Sequence, residues 1–162
     1  MKIALFGATG MVGSRIAAEA TARGHEVTAL SCSTGGDLAD PDAVRTAAQA
    51  HDVVVSATGP SRTGESHDPW LAAVSTLIEQ AGEARVLFVG GAGSLHTPDG
   101  TRLLDTDGFP EEYKAEATSG AAALDTPAGD FISAEDYAVA LVDEVEQPQH
   151  RRQRFTAATA TA

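Results

Sequence analysis

A glycine-rich segment near the start of the chain constrains the fold more than any other feature. Gly7, Gly10 and Gly13 follow a short apolar run at residues 2–6, which predicts a buried strand. An alanine-rich stretch at residues 14–23 predicts a helix, and residues 25–30 predict a second strand. Strand, turn, helix and strand fit within about 30 residues, which is the length of a parallel βαβ unit.

The glycine spacing meets the needs of a dinucleotide pyrophosphate. A tight turn needs a residue free to take a positive φ, and a bare backbone lets the phosphates approach closely. A glycine at the third position lets the helix pack on the strand, and the helix N-terminus then supplies free N–H groups. The alternative is an αβ turn that is glycine-rich by chance. The surrounding strand, helix and strand favour the dinucleotide site.

The rest of the chain continues to alternate helices with strands. The pattern predicts strands at 52–57 and 84–89, a helix at 41–50 capped by Asp40, and a helix at 69–80. It further predicts helices at 110–123 and 134–146, the latter capped by Ser133, and a last strand at 155–160. Continuous apolar strands between helices indicate a parallel sheet covered on both faces. We therefore expect a single α/β domain over residues 1–162, a Rossmann-like doubly wound sheet.

Several segments together resemble one family. They are residues 3–13, 36–38, 53–59, 86–94 and 132–138. The chain resembles an atypical or extended short-chain dehydrogenase/reductase, of the group that includes NmrA-like NAD(P)-binding proteins and proteins named NADH-flavin reductases. The resemblance covers most of the chain and implies a Rossmann-like domain that binds NAD(P).

The resemblance also implies which residues bind the cofactor. The residues expected at the pyrophosphate are Gly7, Thr9, Gly10, Met11, Val12 and Gly13. Those expected at the adenine are Asp37 and Leu38, and those expected at the ribose and nicotinamide are Ala57, Thr58 and Gly59. The alternative for Asp37 is a turn residue, because Gly35 and Gly36 precede it.

The end of the second predicted strand bears on the choice of dinucleotide. NAD selectivity usually needs an acidic residue there, bound to the ribose hydroxyls. Ser31 and the three residues after it include no acid, and small hydroxyl side chains can accommodate a 2′-phosphate. We expect NADP, with NAD possible. Arg15 has two interpretations, a position near that phosphate or a solvated surface residue.

The usual proton-relay pair of this superfamily is absent from the sequence. Tyr-x-x-x-Lys is not formed, because Ala117 lies four residues after Tyr113 and Leu141 four residues after Tyr137. Ser94 follows the strand at 84–89, where the ligand crevice of such sheets lies, and is the candidate catalytic residue. Ser94 is equally interpretable as a loop serine. His96 nearby has two interpretations, an acid or cap at the site or a surface loop histidine, and the second is favoured.

Three functions remain open. Hydride transfer to a flavin, quinone or similar small acceptor needs little from the protein beyond positioning, so a NAD(P)H-dependent reductase is favoured. A non-catalytic NAD(P) redox sensor of NmrA-like type is the alternative. A sugar-nucleotide epimerase or dehydratase is more distant, because the tyrosine–lysine pair is missing.

Composition limits the partners. A net charge of −12 repels phosphate backbones, so we expect no nucleic acid. No apolar run reaches the length of a membrane span, and the five histidines show no metal-ligand spacing, so no membrane and no metal are expected. One cysteine and no signal-peptide pattern predict a cytoplasmic protein. We expect a small-molecule substrate and a monomer or homodimer.

Two segments are short for this family, near 31–35 and 118–130. A parallel crossover needs about a dozen residues, and the first segment offers five. Either the chain is naturally shortened or the sequence omits mobile segments. We favour omission.

Overall fold

The computed structural model describes residues 1–61, 63–91, 93, 95–123, 134–151 and 155. These residues form four strands and five α-helices. In chain order they are β1 Lys2–Phe6, α1 Met11–Ala22, β2 Glu26–Leu30, α2 Pro41–Ala50, β3 Val53–Ser56, α3 Asp68–Gln80, β4 Arg85–Phe88, α4 Glu111–Ala123 and α5 Ala134–Glu146. The single Rossmann-like α/β domain predicted from the sequence is confirmed.

The four strands form one parallel sheet with the order β2-β1-β3-β4. The chain leaves β1 toward β2 on one side and later places β3 on the other side of β1. The strand order therefore reverses between β1 and β3. Ligands of open α/β sheets bind in the crevice at such a reversal, outside the carboxyl ends of the strands.

Alternating strand residues build two cores, one on each face of the sheet. Ile3, Leu5 and Val55 are buried on the face covered by α1 and α5. Phe6 and Val54 are buried on the opposite face, in a cluster that includes residues of α2 and α3. Helices on both faces explain why β1 and β3 read as continuous apolar runs.

Helix α1 starts earlier than predicted. The sequence pattern placed the turn at residues 7–13 and the helix at 14–23, whereas the helix begins at Met11 with Gly10 as its N-cap. The turn needs only Gly7 to Gly10, because Gly10 N–H already bonds to the Gly7 carbonyl oxygen at 3.0 Å. Gly13 thus lies in the first turn of the helix.

The other predicted elements differ from the structure by one or two residues at most. Helix α2 and helix α5 have the predicted bounds, and Asp40 caps α2 by accepting from Asp42 N–H at 2.9 Å. Ser133 and the greater part of the predicted strand 155–160 lie outside the described residues.

The chain passes from β2 to α2 without another strand. Residues Cys32–Thr34 form one turn of 3-10 helix, and Gly36 and Leu38 lead directly inward. A parallel sheet could not gain a strand in so short a connection. The second short segment includes residues 124–130, which lie outside the described residues.

A buried carboxylate fixes the segment after α5. Glu144 is 5% exposed and accepts from the Arg85 guanidinium at 2.9 Å. It also accepts from the backbone N–H groups of Gln149 and His150 and from the His150 ring at 3.0 Å. The segment after α5 is thereby attached to β4.

Within the described part of the chain, no helix is both long and apolar enough to cross a membrane.

Candidate functional site

Gly7 directly follows β1 at the strand-order reversal. Its φ is +78°, a conformation that side chains other than glycine adopt only with strain. A Cβ added to it would lie 2.7 Å from the carbonyl oxygen of Ala57, which follows β3. The carboxyl ends of β1 and β3 therefore approach each other at Gly7, as a crevice for a ligand backbone requires.

The N-terminus of α1 is open toward solvent. Gly10 is exposed, and the nearest neighbour of a Cβ added there would be the Gly7 carbonyl oxygen at 3.3 Å, with open space elsewhere. No side chain caps the helix. The N–H groups of Met11, Val12 and Gly13 have no acceptor within the helix. This bare, partly positive end fits a pyrophosphate, and a side chain at Gly10 would fill the cradle.

The end of β2 carries a cluster of hydroxyl groups. Ser31 Oγ lies 2.9 Å from Ser33 Oγ and 3.1 Å from Thr34 Oγ1. Arg15, the cation considered for this end of the site, instead donates to Glu135 of α5 at 3.0 Å and to the Met11 carbonyl oxygen. The Arg15 guanidinium is therefore paired with α5 and does not join the hydroxyl cluster at the end of β2.

Asp37 and Leu38, expected at the adenine, lie where the chain turns toward α2. Asp37 Oδ1 accepts from Ala39 N–H at 2.9 Å, so the carboxylate supports the local turn. Leu38 is 5% exposed and belongs to the core under α2. Its side chain is therefore not available to a ligand.

Ala57, Thr58 and Gly59 lead from β3 into a cavity of about 520 Å³. Met11 and Val12 of α1 line the cavity next to the glycine turn. The cavity therefore continues the predicted cofactor site beyond the pyrophosphate. It has the size of a small-molecule site.

Aromatic side chains form much of the cavity wall. The aromatic lining residues are Trp70, Phe88, Phe109 and Tyr113. The rings of Trp70 and Phe88 lie 6.0 Å apart with an interplanar angle of 46°. Such a wall suits a planar ring system.

A hydrogen-bond chain joins β3 to α3 beside this wall. Ser56 is fully buried, and its Oγ lies 3.0 Å from Thr58 Oγ1. Trp70 Nε1 donates to the same Thr58 oxygen at 3.3 Å. Thr58 is thereby held in one rotamer at the edge of the cavity.

Helix α4 closes the cavity on the side away from the sheet. A Cβ added to Gly93 would lie 2.5 Å from the Ala117 Cβ, so the helix packs directly on the chain after β4. His67 Nε2 donates to the Ser61 carbonyl oxygen at 2.9 Å, and its Nδ1 lies 2.7 Å from Ser119 Oγ, within hydrogen-bond distance. These contacts hold α4 against the loop that follows β4 and against the loop between β3 and α3.

The ionisable side chains that line the described part of the cavity are Tyr113 and Glu116. Tyr137 lies in α5 against the core, where burial raises its pKa to about 12. Its phenol therefore stays protonated near neutral pH. Ser94, the candidate catalytic residue, lies outside the described residues, and His96 forms an isolated bridge with Arg102.

The aromatic wall has little local signature in the sequence. Phe88 ends β4 and could have been found, because carboxyl ends of strands line the crevice. Trp70, Phe109 and Tyr113 come from helices and a loop distant in sequence, and no local pattern shows that they converge. Among the described residues, no group of three His, Cys, Asp or Glu side chains is placed to hold a metal ion.

Residues 7–137 match the family model described as NAD(P)H-binding. The match includes the glycine turn, the end of β2 and the lining residues of the cavity that follow β3 or lie in α3 and α4.

Individual proteins match over nearly the whole chain. The uncharacterized protein YwnB of Bacillus subtilis is 33% identical over 208 residues, covering 96% of this chain and 97% of YwnB. A solved structure named "putative NADH-flavin reductase", from Streptococcus pneumoniae, is 31% identical with a TM-score of 0.76, covering 95% and 97% of the two chains. Another, named "putative exported protein", from Burkholderia pseudomallei, is 37% identical with a TM-score of 0.76, covering 94% and 97%.

Proposed function

The chain belongs to the NAD(P)H-binding family, as an atypical short-chain dehydrogenase/reductase of NmrA-like type, and we propose that it passes a hydride from NAD(P)H to a flavin, a quinone or a similar small acceptor. The observation that carries this proposal is the aromatic cavity that opens directly from the glycine turn. A planar acceptor fits beside the Trp70 and Phe88 rings, next to the place where the nicotinamide would lie.

The missing Tyr-x-x-x-Lys pair agrees with this chemistry. The nicotinamide supplies a hydride with two electrons, and a proton from water completes the reduction of the acceptor. Reduction of a carbonyl group to an alcohol needs a strong proton donor beside the substrate. Reduction of a flavin or quinone mainly needs the acceptor ring to be aligned with the nicotinamide. A buried Tyr137 without a lysine partner does not serve as such a donor.

NADP is the proposed dinucleotide. Ser31, Ser33 and Thr34 present hydroxyl groups where an NAD-selective protein of this fold carries an acid. Neutral hydroxyl groups at that place can donate hydrogen bonds to a 2′-phosphate. Residues 31–36 contain no carboxylate that would repel this phosphate.

Turnover tests the proposal. The protein should oxidise NADPH with riboflavin, FMN or a naphthoquinone as acceptor. The reaction is monitored in the absence of oxygen by the loss of NADPH absorbance. Tight NADPH binding with no turnover on any of these acceptors would refute the reductase function.

That second outcome would favour a non-catalytic redox sensor. The observation behind this candidate is the small set of ionisable groups in the described cavity, Tyr113 and Glu116. A sensor predicts different affinities for NADPH and NADP⁺ and a protein partner captured in only one of these states. Equal affinities would count against it.

The proposal also includes the two short segments of the chain and the place where the protein acts in the cell. YwnB matches over 208 residues, whereas this chain has 162, so the relative has residues without a counterpart here. We propose that segments near 31–35 and 118–130 are missing from this sequence, and that the protein acts in the cytoplasm as a monomer or homodimer. Mass spectrometry of the protein from its own gene tests the missing segments, cell fractionation tests the location, and light scattering of the purified protein tests the oligomeric state.

A further inference from the structure

We propose that the Thr58 hydroxyl orients the acceptor by donating a hydrogen bond to one of its carbonyl oxygens. This inference rests on the proposed reductase function and deepens it, because it limits the acceptor to planar molecules that carry a ring carbonyl. Three hydrogen-bonding groups fix the direction of the Thr58 proton.

The first group is Ser56, whose side chain has no access to water. A buried hydroxyl that donates to nothing is costly, at about 1–3 kcal/mol. Among the described residues, the partner of Ser56 Oγ is Thr58 Oγ1 at 3.0 Å. Ser56 therefore donates its proton to Thr58.

The second group is the Trp70 indole. An indole N–H donates and cannot accept. Trp70 Nε1 lies 3.3 Å from Thr58 Oγ1, so this bond also delivers a proton to the Thr58 oxygen.

The third group is Thr58 itself. A hydroxyl oxygen has two lone pairs and one proton. Ser56 and Trp70 occupy both lone pairs, so the Thr58 proton is left for a different acceptor. Thr58 lines the cavity and is half-buried, so this acceptor is an atom of the bound molecule. Because Ser56 and Trp70 both donate to its oxygen, the Thr58 hydroxyl can only donate a hydrogen bond toward the cavity.

The location of the donor assigns it to the acceptor rather than to the cofactor. Thr58 is bonded to Trp70 of α3, whose ring stands beside Phe88. The Thr58 backbone nitrogen lies next to the glycine turn, 3.1 Å from a Cβ added to Gly7, and Met11 and Val12 of α1 line the same cavity. The backbone of residues 57–59 remains available to the cofactor, while the Thr58 hydroxyl faces the aromatic wall.

Trp70 provides a direct binding signal, because the chain contains one tryptophan. Quenching of its fluorescence by riboflavin or a naphthoquinone measures acceptor affinity without turnover. NADPH affinity is measured separately by energy transfer from Trp70. The variants are Thr58→Val, which removes the hydroxyl at constant shape, and Thr58→Ser, which keeps it. Thr76→Val on α3 is the matched control, because the Thr76 hydroxyl bonds to the Ala72 carbonyl of its own helix.

Thr58→Val should weaken riboflavin and naphthoquinone binding about tenfold, the upper range for one neutral hydrogen bond, with NADPH affinity unchanged. Thr58→Ser should bind riboflavin and naphthoquinone with affinities within about twofold of the parent's, and Thr76→Val should bind them as the parent does. A phenothiazinium dye, which accepts hydride but has no carbonyl, should bind equally to the parent and to Thr58→Val. Ser56→Ala should weaken carbonyl binding less than Thr58→Val, and the double variant should lose no more than Thr58→Val alone.

Equal quinone and riboflavin affinity in Thr58→Val would overturn the proposal, and so would a loss confined to NADPH. The reductase function fails separately. A protein that binds quinone through Thr58 but does not oxidise NADPH would retain this site and lose the proposed reaction.

Discussion

Gly13 packs against the carbonyl group of Gly7 so closely that an added Cβ would lie 2.1 Å from the carbonyl oxygen and 2.9 Å from its carbon. The neighbouring atoms are backbone, so they cannot rotate away as a side chain would. This contact seats the first turn of α1 on the end of β1. The position of the open helix N-terminus depends on it.

Gly13→Ala should therefore impair both folding and cofactor binding. The forced backbone shift should lower the free energy of unfolding by about 2 kcal/mol and displace the N–H groups that face the pyrophosphate. Urea unfolding and NADPH titration measure the two effects. Gly108→Ala, where an added Cβ meets nothing within 4 Å, is the control and should leave both values near the parent's. An unimpaired Gly13→Ala protein would contradict the assigned geometry.

Gly93→Ala should narrow the cavity from the α4 side. The new methyl would lie 2.5 Å from the Ala117 Cβ and push α4 out of position. We expect lower acceptor turnover with NADPH affinity retained, because the glycine turn is untouched. Adding Ala117→Gly to the same chain removes the colliding methyl and should restore turnover. If the double variant is as poor as Gly93→Ala, the loss has another cause.

Ser31→Asp should change the preferred dinucleotide. Aspartate is a good cap, so the 3-10 turn after β2 is preserved. A carboxylate there would repel a 2′-phosphate and bind ribose hydroxyls, lowering NADPH affinity about tenfold, or about 1.4 kcal/mol, with NADH affinity maintained or raised. Ser75→Asp, on the exposed surface of α3, adds the same charge elsewhere. An unchanged NADPH-to-NADH ratio in Ser31→Asp would remove the end of β2 from the cofactor site.

Glu144→Gln should destabilise the fold and alter its response to acid. Burial alone would raise the pKa of Glu144, but hydrogen bonds from His150 and Gln149 and the charge of Arg85 outweigh it, and the pKa falls below its usual value. Removing the charge leaves the Arg85 guanidinium without its carboxylate, at a cost of about 2 kcal/mol at pH 7.

The sign of the pH effect follows from the lowered pKa of Glu144. Its contribution is complete above the unfolded-state pKa of about 4.3 and is lost as pH falls below that value toward the folded-state pKa. Denaturant unfolding from pH 7 to pH 3 should show a shallower loss of stability in Glu144→Gln than in the parent. Glu79→Gln, exposed on α3, should keep the parent's slope. Parallel curves for Glu144→Gln and the parent would disprove the role of this carboxylate.

The fold could be predicted from the sequence because its signals are local. Gly7 and Gly10 mark the end of β1, and Asp40 with Pro41 marks the start of α2, each within a few residues. The start of α1 was misplaced because glycine is rare inside helices, and Gly13 is required there by packing that no local pattern reveals.

The cavity was harder to foresee because its walls meet only in three dimensions. Ser56 ends β3 and Thr58 follows it two residues later, so continuing the strand period of two predicts that both side chains lie on the same side. The approach of Trp70 to Thr58 and of Ala117 to Gly93 depends on how α3 and α4 dock, and that is set by tertiary packing.

The contact between α1 and α5 has a consequence for synthesis of the chain. The core shared by these helices includes Ile16 and Ala20 of α1 and Leu141 and Val142 of α5. Arg15 and Glu135, which pair across them, are 120 residues apart in sequence. The part of the apolar face of α1 that packs on α5 stays uncovered until α5 has left the ribosome, because a distant partner cannot bury it earlier. The glycine turn is therefore among the first segments to be translated and among the last to become a finished binding surface.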